Sequence, residues 1–248
     1  MHSDGDTLNR CHDVIIVIAT YNEAGNIRQL LDGLRDYPVI VVDDNSPNGT
    51  GDIAVDYDNV MVIHRMGKMG LASAYMRAFK AALRRRPQYV VQMDAGLTHN
   101  PDDIPYLLAS AKGLRTMGAA LVTGSRFYYP PPLLGARTVI SLAAAWATRK
   151  LLSIPVSDAT CGFRCWPATL LRSILEDIGY QTVARGHAWQ IEMLYHAWQC
   201  RKVVVEVTIP YKLTNSSFRS GEILEALRVL RALWGESSIM DKGSNKKR

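Results

Sequence analysis

Val14-Ile15-Ile16-Val17-Ile18-Ala19 is an unbroken apolar run rich in β-branched residues, and Thr20-Tyr21-Asn22-Glu23 ends it abruptly in polar groups. So short a run, without alternation, reads as a parallel strand buried on both faces and closing on a loop. Downstream, Ile27, Leu30, Leu31 and Leu34 recur at helical spacing within Glu23 to Leu34, and Pro38 precedes a second apolar run, Val39 to Val42. Strand, helix and strand complete a βαβ unit by residue 42, which points to an α/β fold.

The rhythm continues beyond it. Asp43-Asp44-Asn45-Ser46-Pro47-Asn48-Gly49-Thr50 is a dense turn cluster, Asp52 to Tyr57 a short helix and Val60 to His64 a third strand. Gly70 to Arg85 reads as an amphipathic helix with Leu71, Ala74, Ala78, Phe79 and Leu83 on one side and cations at its end. Tyr89 to Met93, ending at Asp94, and Ala119 to Thr123, closing on Gly124-Ser125-Arg126, read as strands, with a helix over Pro101 to Ala111 between them. The expectation is a doubly wound, mostly parallel sheet with helices on both faces, whose ligand edge lies at the carboxyl ends of the strands.

Past Pro130-Pro131-Pro132 the pattern changes. Arg137 to Leu152 is a long helix without acidic residues, either part of the core or lying against a membrane interface, as Trp146 and the flanking cations permit. Val203 to Ile209 alternates like a strand, and Ile223 to Trp234 is an amphipathic helix. The organisation expected is an N-terminal extension over 1–13, one domain over 14–234 that ends in a helical extension, and a basic, disordered tail over 235–248.

Composition excludes several classes. With 48% hydrophobic and 21% charged residues the chain is neither disordered nor low in core-forming side chains. Cys11, Cys161, Cys165 and Cys200 are scattered, so neither a disulfide framework nor a zinc site is indicated, and a reducing cytosol fits best. The acidic N-terminus lacks the apolar core of a secretory signal, and no run reaches the roughly 18 to 20 apolar residues of a membrane span. The net charge of +6 favours an anionic partner, which composition leaves open among nucleic acid, a membrane surface and a phosphorylated substrate.

Four polar clusters converge on the expected ligand edge. Thr20 to Glu23, Asp43-Asp44 with its turn, Asp94 and Arg126 each follow a strand, and carboxylates there can accept hydrogen bonds from a base and a ribose. Arg65-Met66-Gly67-Lys68-Met69-Gly70-Leu71 puts glycines and cations, Lys68 among them, between a strand and a helix, as a phosphate contact requires, although it lacks P-loop spacing. In Asp94-Ala95-Gly96-Leu97-Thr98-His99, Asp94 and His99 can contribute ligands to a hard divalent cation that a diphosphate shares.

Taken together, Ala19-Thr20-Tyr21-Asn22-Glu23, Asp43 to Thr50, Gly67-Lys68-Met69-Gly70-Leu71, Met93-Asp94-Ala95, Gly124-Ser125-Arg126, Asp158-Ala159-Thr160-Cys161-Gly162-Phe163-Arg164 and Ile191-Glu192-Met193-Leu194-Tyr195 resemble the family-two glycosyltransferases of polyprenyl- or dolichyl-phosphate mannose synthase type. The resemblance runs from about residue 14 to 230 and implies a GT-A fold. It further implies inverting transfer of a hexose, typically mannose from GDP-mannose, to a polyprenyl monophosphate. Ala19, Tyr21, Glu23 and Asp43 would then hold the nucleoside, with Asp94, Ala95, Arg126 and Lys68 at the diphosphate and Mg²⁺ or Mn²⁺. Asp94, Arg126 and Asp158 would be the catalytic set, Asp158 positioning the sugar unless it merely pairs with Arg164. Arg137 and Ser141, on one helical face, would receive the acceptor phosphate. The implied partners are a nucleoside diphosphate sugar, polyprenyl phosphate and the cytoplasmic membrane surface, with a membrane-anchoring subunit as a further possibility and no nucleic acid. A relative using a soluble or polymer acceptor, or a non-catalytic nucleotide-sugar binder, remain the alternatives.

Three departures from the family stand out. Its Asp-Ala-Asp becomes Asp94-Ala95-Gly96, which removes a carboxylate from the metal's side. After Ile209-Pro210 the family's diphosphate-clamping cations are replaced by Tyr211 to Arg219, where Lys212 or Arg219 can substitute. Val183 to His187 reads as an insertion beside the helix bearing Glu192.

Overall fold

A computed structural model of the protein describes residues 13–114, 118, 120–127, 136–200, 203–210 and 220–244, with the backbone alone at 136, 137, 220 and 238–244. Its strands are β1 (Val14–Thr20), β2 (Val39–Asp43), β3 (Val60–His64), β4 (Tyr89–Asp94), β5 (Leu121–Ser125), β6 (Arg164–Pro167) and β7 (Val204–Thr208), joined in one sheet ordered β3-β2-β1-β4-β6-β5-β7. β3, β2, β1 and β4 run parallel, as do β5 and β7, while β6 is antiparallel to both its neighbours. The mostly parallel sheet is therefore as expected, with β6 as its one reversed member among the described residues.

Period-two alternation sends the side chains of β1 into two apolar layers. Val14, Ile16 and Ile18 meet α1 (Ala24–Asp32), α2 (Thr50–Val55) and α4 (Ile104–Gly113). Ile15, Val17 and Ala19 meet Tyr75, Phe79, Trp166 and Trp189, in the layer formed by α3 (Leu71–Arg84), α6 (Ala168–Asp177) and α7 (Trp189–Gln199). At about 1.5–3 kcal/mol for each fully buried aliphatic side chain, these layers hold the strand ends in place. Register then sets Thr20 beside Asp43, Asp43 beside His64 and Ala19 beside Asp94. Polar residues from four strands meet along one edge for that reason.

Two helices complete the molecule, α5 (Ala136–Leu152) and α8 (Ser220–Ser244), which pack against each other. α8 runs on to Ser244, past the Ile223 to Trp234 stretch that the amphipathic pattern marks. No proline follows Trp234, and Gly235 alone costs a helix only about 1 kcal/mol. α5 is not a core helix all round: Ala145 and Thr148 are buried, whereas Val139, Leu142, Trp146 and Leu151 are exposed. Among the described residues no helix is long and apolar enough to cross a membrane.

Candidate active site

The β1 and β2 side of the edge is a set of mutually fastened turns. Asn22 takes a left-handed φ of 63° and donates its N–H to Ser46 Oγ at 2.9 Å, and Glu23 N–H donates to Thr50 Oγ1 at 2.9 Å. Ser46 donates its own N–H and hydroxyl to Asp43, at 3.0 and 2.5 Å, so the buried Asp43 shapes the turn as well as bordering the edge. Asp44 reaches the other way. Its carboxylate lies 3.0 Å from Arg65 Nη1 and accepts the Met69 N–H at 3.1 Å, which ties down the basic glycine loop. Lys68 Nζ then rests 4.1 Å from the centroid of the Tyr21 ring. Ala19, Tyr21, Glu23, Asp43 and Lys68 thus lie on neighbouring strand ends and turns of one edge.

Asp94, at the end of β4, receives the Tyr75 hydroxyl on Oδ1 at 3.1 Å and faces His99 Nε2 at 3.7 Å from Oδ2. Burial pushes Tyr75 well above the ordinary phenol range, and the neighbouring Asp94 adds to this, so the hydroxyl stays a donor. His99 is itself buried and stacked on Phe163, with ring centroids 5.2 Å apart. Desolvation alone would raise the Asp94 carboxyl; the hydrogen bond and charge of His99, the charge of His187 and the Tyr75 hydroxyl outweigh it and pull the pKa down to about 2. The carboxylate is ionised at any working pH, and a third of its side chain stays open to the edge.

Gly162 is what allows Asp94 this position, since a Cβ there would overlap the Asp94 carboxylate. Gly162→Ala is therefore expected to displace Asp94 and lower turnover by about a hundredfold or more without removing a charge, at a stability cost of about 1–3 kcal/mol for the overpacking. Initial rates alongside a thermal melt check this; wild-type turnover would show that the carboxylate's position is unimportant.

Arg126 and Asp158 form the second half of the site. Arg126 donates Nε–H to Asp158 Oδ2 at 2.6 Å, Nη2–H to Oδ1 at 2.7 Å and also to Thr160 Oγ1 at 2.7 Å. This corrects the sequence-derived alternative of an Asp158–Arg164 pair: the fully buried Arg164 donates instead to the carbonyls of Gln190 and Ala159. Asp158 is wholly buried behind Arg126, so it meets the edge through that guanidinium. Glu206, on β7, was not anticipated. Its carboxylate accepts the N–H groups of Ser157 and Asp158, at 2.7 and 2.8 Å, and the Ser157 hydroxyl at 2.9 Å, which holds the turn that presents Asp158. An acid within Val-Val-Val-Glu-Val-Thr was the only trace of it in the sequence.

From Arg126 an apolar groove of about 240 Å³ runs between α5, α7 and α8. Arg126, Ser141, Thr160 and His187 give it a polar end, and Ala144, Ala147, Ile191, Ala226, Leu227 and Leu230 are among its walls. Ser141 and Arg126 both line this groove. The Arg137 side chain, Lys212, Arg219 and residues 1–12 of the N-terminal extension lie outside the described residues.

The sheet edge thus gathers carboxylates and cations, and at Arg126 it borders an apolar groove. Residues 15–178 match the family described as Glycosyl transferase family 2; the chain belongs to that family and is a glycosyltransferase. It is 33% identical over 234 residues to an undecaprenyl-phosphate mannosyltransferase of Micrococcus luteus, covering 90% of this chain and 93% of that one. It is 32% identical over 256 residues to a polyprenol monophosphomannose synthase of Mycolicibacterium smegmatis, covering 96% of this chain and 93% of the other. Its fold is similar to the crystal structure of GalNAc-T7 with UDP, GalNAc and Mn²⁺, with a TM-score of 0.54 at 15% identity over 90% of this chain and 49% of that one. The GT-A architecture implied by the sequence resemblance is thereby shown.

Proposed function

We propose that the protein transfers mannose from GDP-mannose to a polyprenyl monophosphate, with inversion at the anomeric carbon, at the cytoplasmic surface of a membrane. The observation that carries this reading is the groove: an apolar channel that ends on a guanidinium and two hydroxyls fits a lipid with a phosphate head. The names of the two bacterial relatives agree with it. Tyr21, Glu23 and Asp43 hold the nucleoside, and Lys68 and Asp94 border the diphosphate. Arg126, oriented by Asp158 and Glu206, holds the acceptor phosphate with Ser141. An acceptor oxygen, already anionic, attacks the anomeric carbon as the bond to the diphosphate breaks, so no general base is required.

The residues present fit a divalent cation that takes most of its ligands from diphosphate and water: Asp94 is ionised and partly open, and His99 borders its Oδ2. When bound, Mg²⁺ or Mn²⁺ supplies positive charge against the leaving group. Gly96 tests this assignment. A Cβ there would have its nearest neighbour, Glu23 Oε1, at 3.9 Å, so Gly96→Asp fits and adds a carboxylate beside Asp94. We expect the half-saturating Mn²⁺ concentration, read by calorimetric titration with GDP present, to fall by about tenfold; an unchanged value would move the cation elsewhere.

Exposed Val139, Leu142 and Trp146 on α5 and Leu224, Leu227 and Trp234 on α8 support seating on a lipid surface, which the delivery of a polyprenyl chain requires. The buried free thiols of Cys161 and Cys165 suit the reducing side. Incubation with Mg²⁺ or Mn²⁺, a short-chain polyprenyl phosphate and a panel of labelled GDP- and UDP-sugars is expected to put label from GDP-mannose into the lipid phase. Label in a soluble acceptor alone, or nucleotide-sugar binding without transfer, would overturn the proposal.

A further inference from the structure

The groove is lined by two side chains to which the transfer step assigns no role, His187 and Glu222. His187, in the loop between α6 and α7, lines the groove together with Arg126, Ser141 and Thr160. Its Nδ1 lies 3.5 Å from Glu222 Oε1, in the first turn of α8. The backbone beneath it is braced from three directions. Val183 and Ala184 donate their N–H groups to Glu192 at 2.7 and 2.8 Å, Arg185 and Gly186 donate theirs to Glu225 at 2.5 and 2.7 Å, and the Arg185 carbonyl accepts from Ala72 N–H at 3.0 Å. The imidazole itself is more than half exposed, so a fixed base carries a side chain with room to turn.

Glu222 is the anomaly that gives the pair its meaning. An anion on the wall of a compartment that receives an anion opposes binding unless a cation sits between them. The imidazole Nδ1 beside Glu222 offers that carboxylate a donor, and a phosphate entering beside Arg126 competes with Glu222 for it.

We propose that His187 is a second donor to the phosphate of the lipid acceptor, in addition to Arg126, and that Glu222 parks the imidazole at the groove mouth until the phosphate arrives. This rests on the reading of the groove as the acceptor compartment. The bland alternative is a clasp that only fastens α8 to the loop, and the two differ in sign. If His187 binds phosphate and Glu222 competes for it, removing His187 weakens phosphate binding and removing the Glu222 charge strengthens it. If the pair is a clasp, both changes loosen the groove and weaken everything that enters it.

Equilibrium titrations of the full-length protein with farnesyl phosphate and with farnesol, which lacks the phosphate, separate these outcomes. We expect wild-type protein to prefer farnesyl phosphate, His187→Ala to lose about tenfold of that preference, His187→Lys to retain most of it, and Glu222→Gln to increase it by about twofold, with farnesol affinity unchanged throughout. Retention of the full preference by His187→Ala, or a parallel loss of farnesol binding in His187→Ala and Glu222→Gln, overturns the role of His187 and leaves the acceptor compartment standing. A wild-type protein that binds both lipids equally overturns the compartment and this inference together.

Discussion

Asp94→Asn is expected to lower the rate of sugar transfer by about a thousandfold or more while leaving the fold intact, because the amide keeps the shape and the Tyr75 hydrogen bond but loses the charge. The carboxylate is the open anion at the end of β4, and its pKa near 2 makes it a permanent charge rather than a proton carrier. The sign of the shift has a second consequence. A group depressed from 3.8 to about 2 contributes stability that is present above about pH 4 and is lost only as the pH falls through 2. Any acid limb in the rate above about pH 4 must therefore come from another group, the acceptor phosphate included. Initial rates, a thermal melt and a pH profile of the variant and the wild type check this; a variant rate within tenfold of wild type would remove Asp94 from the reaction.

The second large effect is expected at Asp158. Asp158→Asn leaves Arg126 without the carboxylate that grips both sides of its guanidinium, and breaking a buried pair by removing one partner costs about 3–5 kcal/mol. Transfer should fall by at least about a hundredfold, because the guanidinium no longer holds one orientation at the groove. Arg126→Lys should be similarly impaired, and the double variant should cost little beyond either single change, since both disrupt one unit. Melts and rates for all four proteins close this cycle. Strict additivity would mean that Asp158 acts apart from Arg126, by touching the sugar itself.

The parallel strands were legible because burial on both faces leaves a simple mark, an apolar run with a polar end, as in Val14 to Glu23 and Val39 to Asp44. β6 left no such mark: it has four residues, begins at a buried arginine and is recognisable only by its pairing with β4 and β5. Arg164 misled for the same reason, since a charged residue near Asp158 suggested an ion pair that three-dimensional packing assigned to Arg126. That partnership joins residues separated by 32 positions, which no local pattern encodes. Glu206 sits in an alternating strand where an acid usually signals solvent, and its hydrogen bonds to the Ser157-Asp158 turn depend on how β7 is placed. The end of α8 is not legible because the apolar periodicity fades past Trp234, whereas a helix without a proline can carry polar residues on every side. Asp94, Arg126 and Ser141 are legible in the sequence as candidates; the groups that hold Asp94 and Arg126 in place are visible only in the fold.

The reversed strand β6 has a topological consequence. Parallel strands offer a ligand edge their final residues, and Asp43 and Asp94 arrive in that way. A strand running the other way offers its beginning, so the Asp158 to Phe163 turn is delivered to the same edge before β6 starts. Under the function proposed above, the nucleotide contacts lie on strand exits, while Arg126, Ser141 and Thr160 of the acceptor groove lie on the segment between β5 and the entrance of β6. Substitutions within that segment and on α8 would then alter the choice of lipid and leave the four parallel strands untouched.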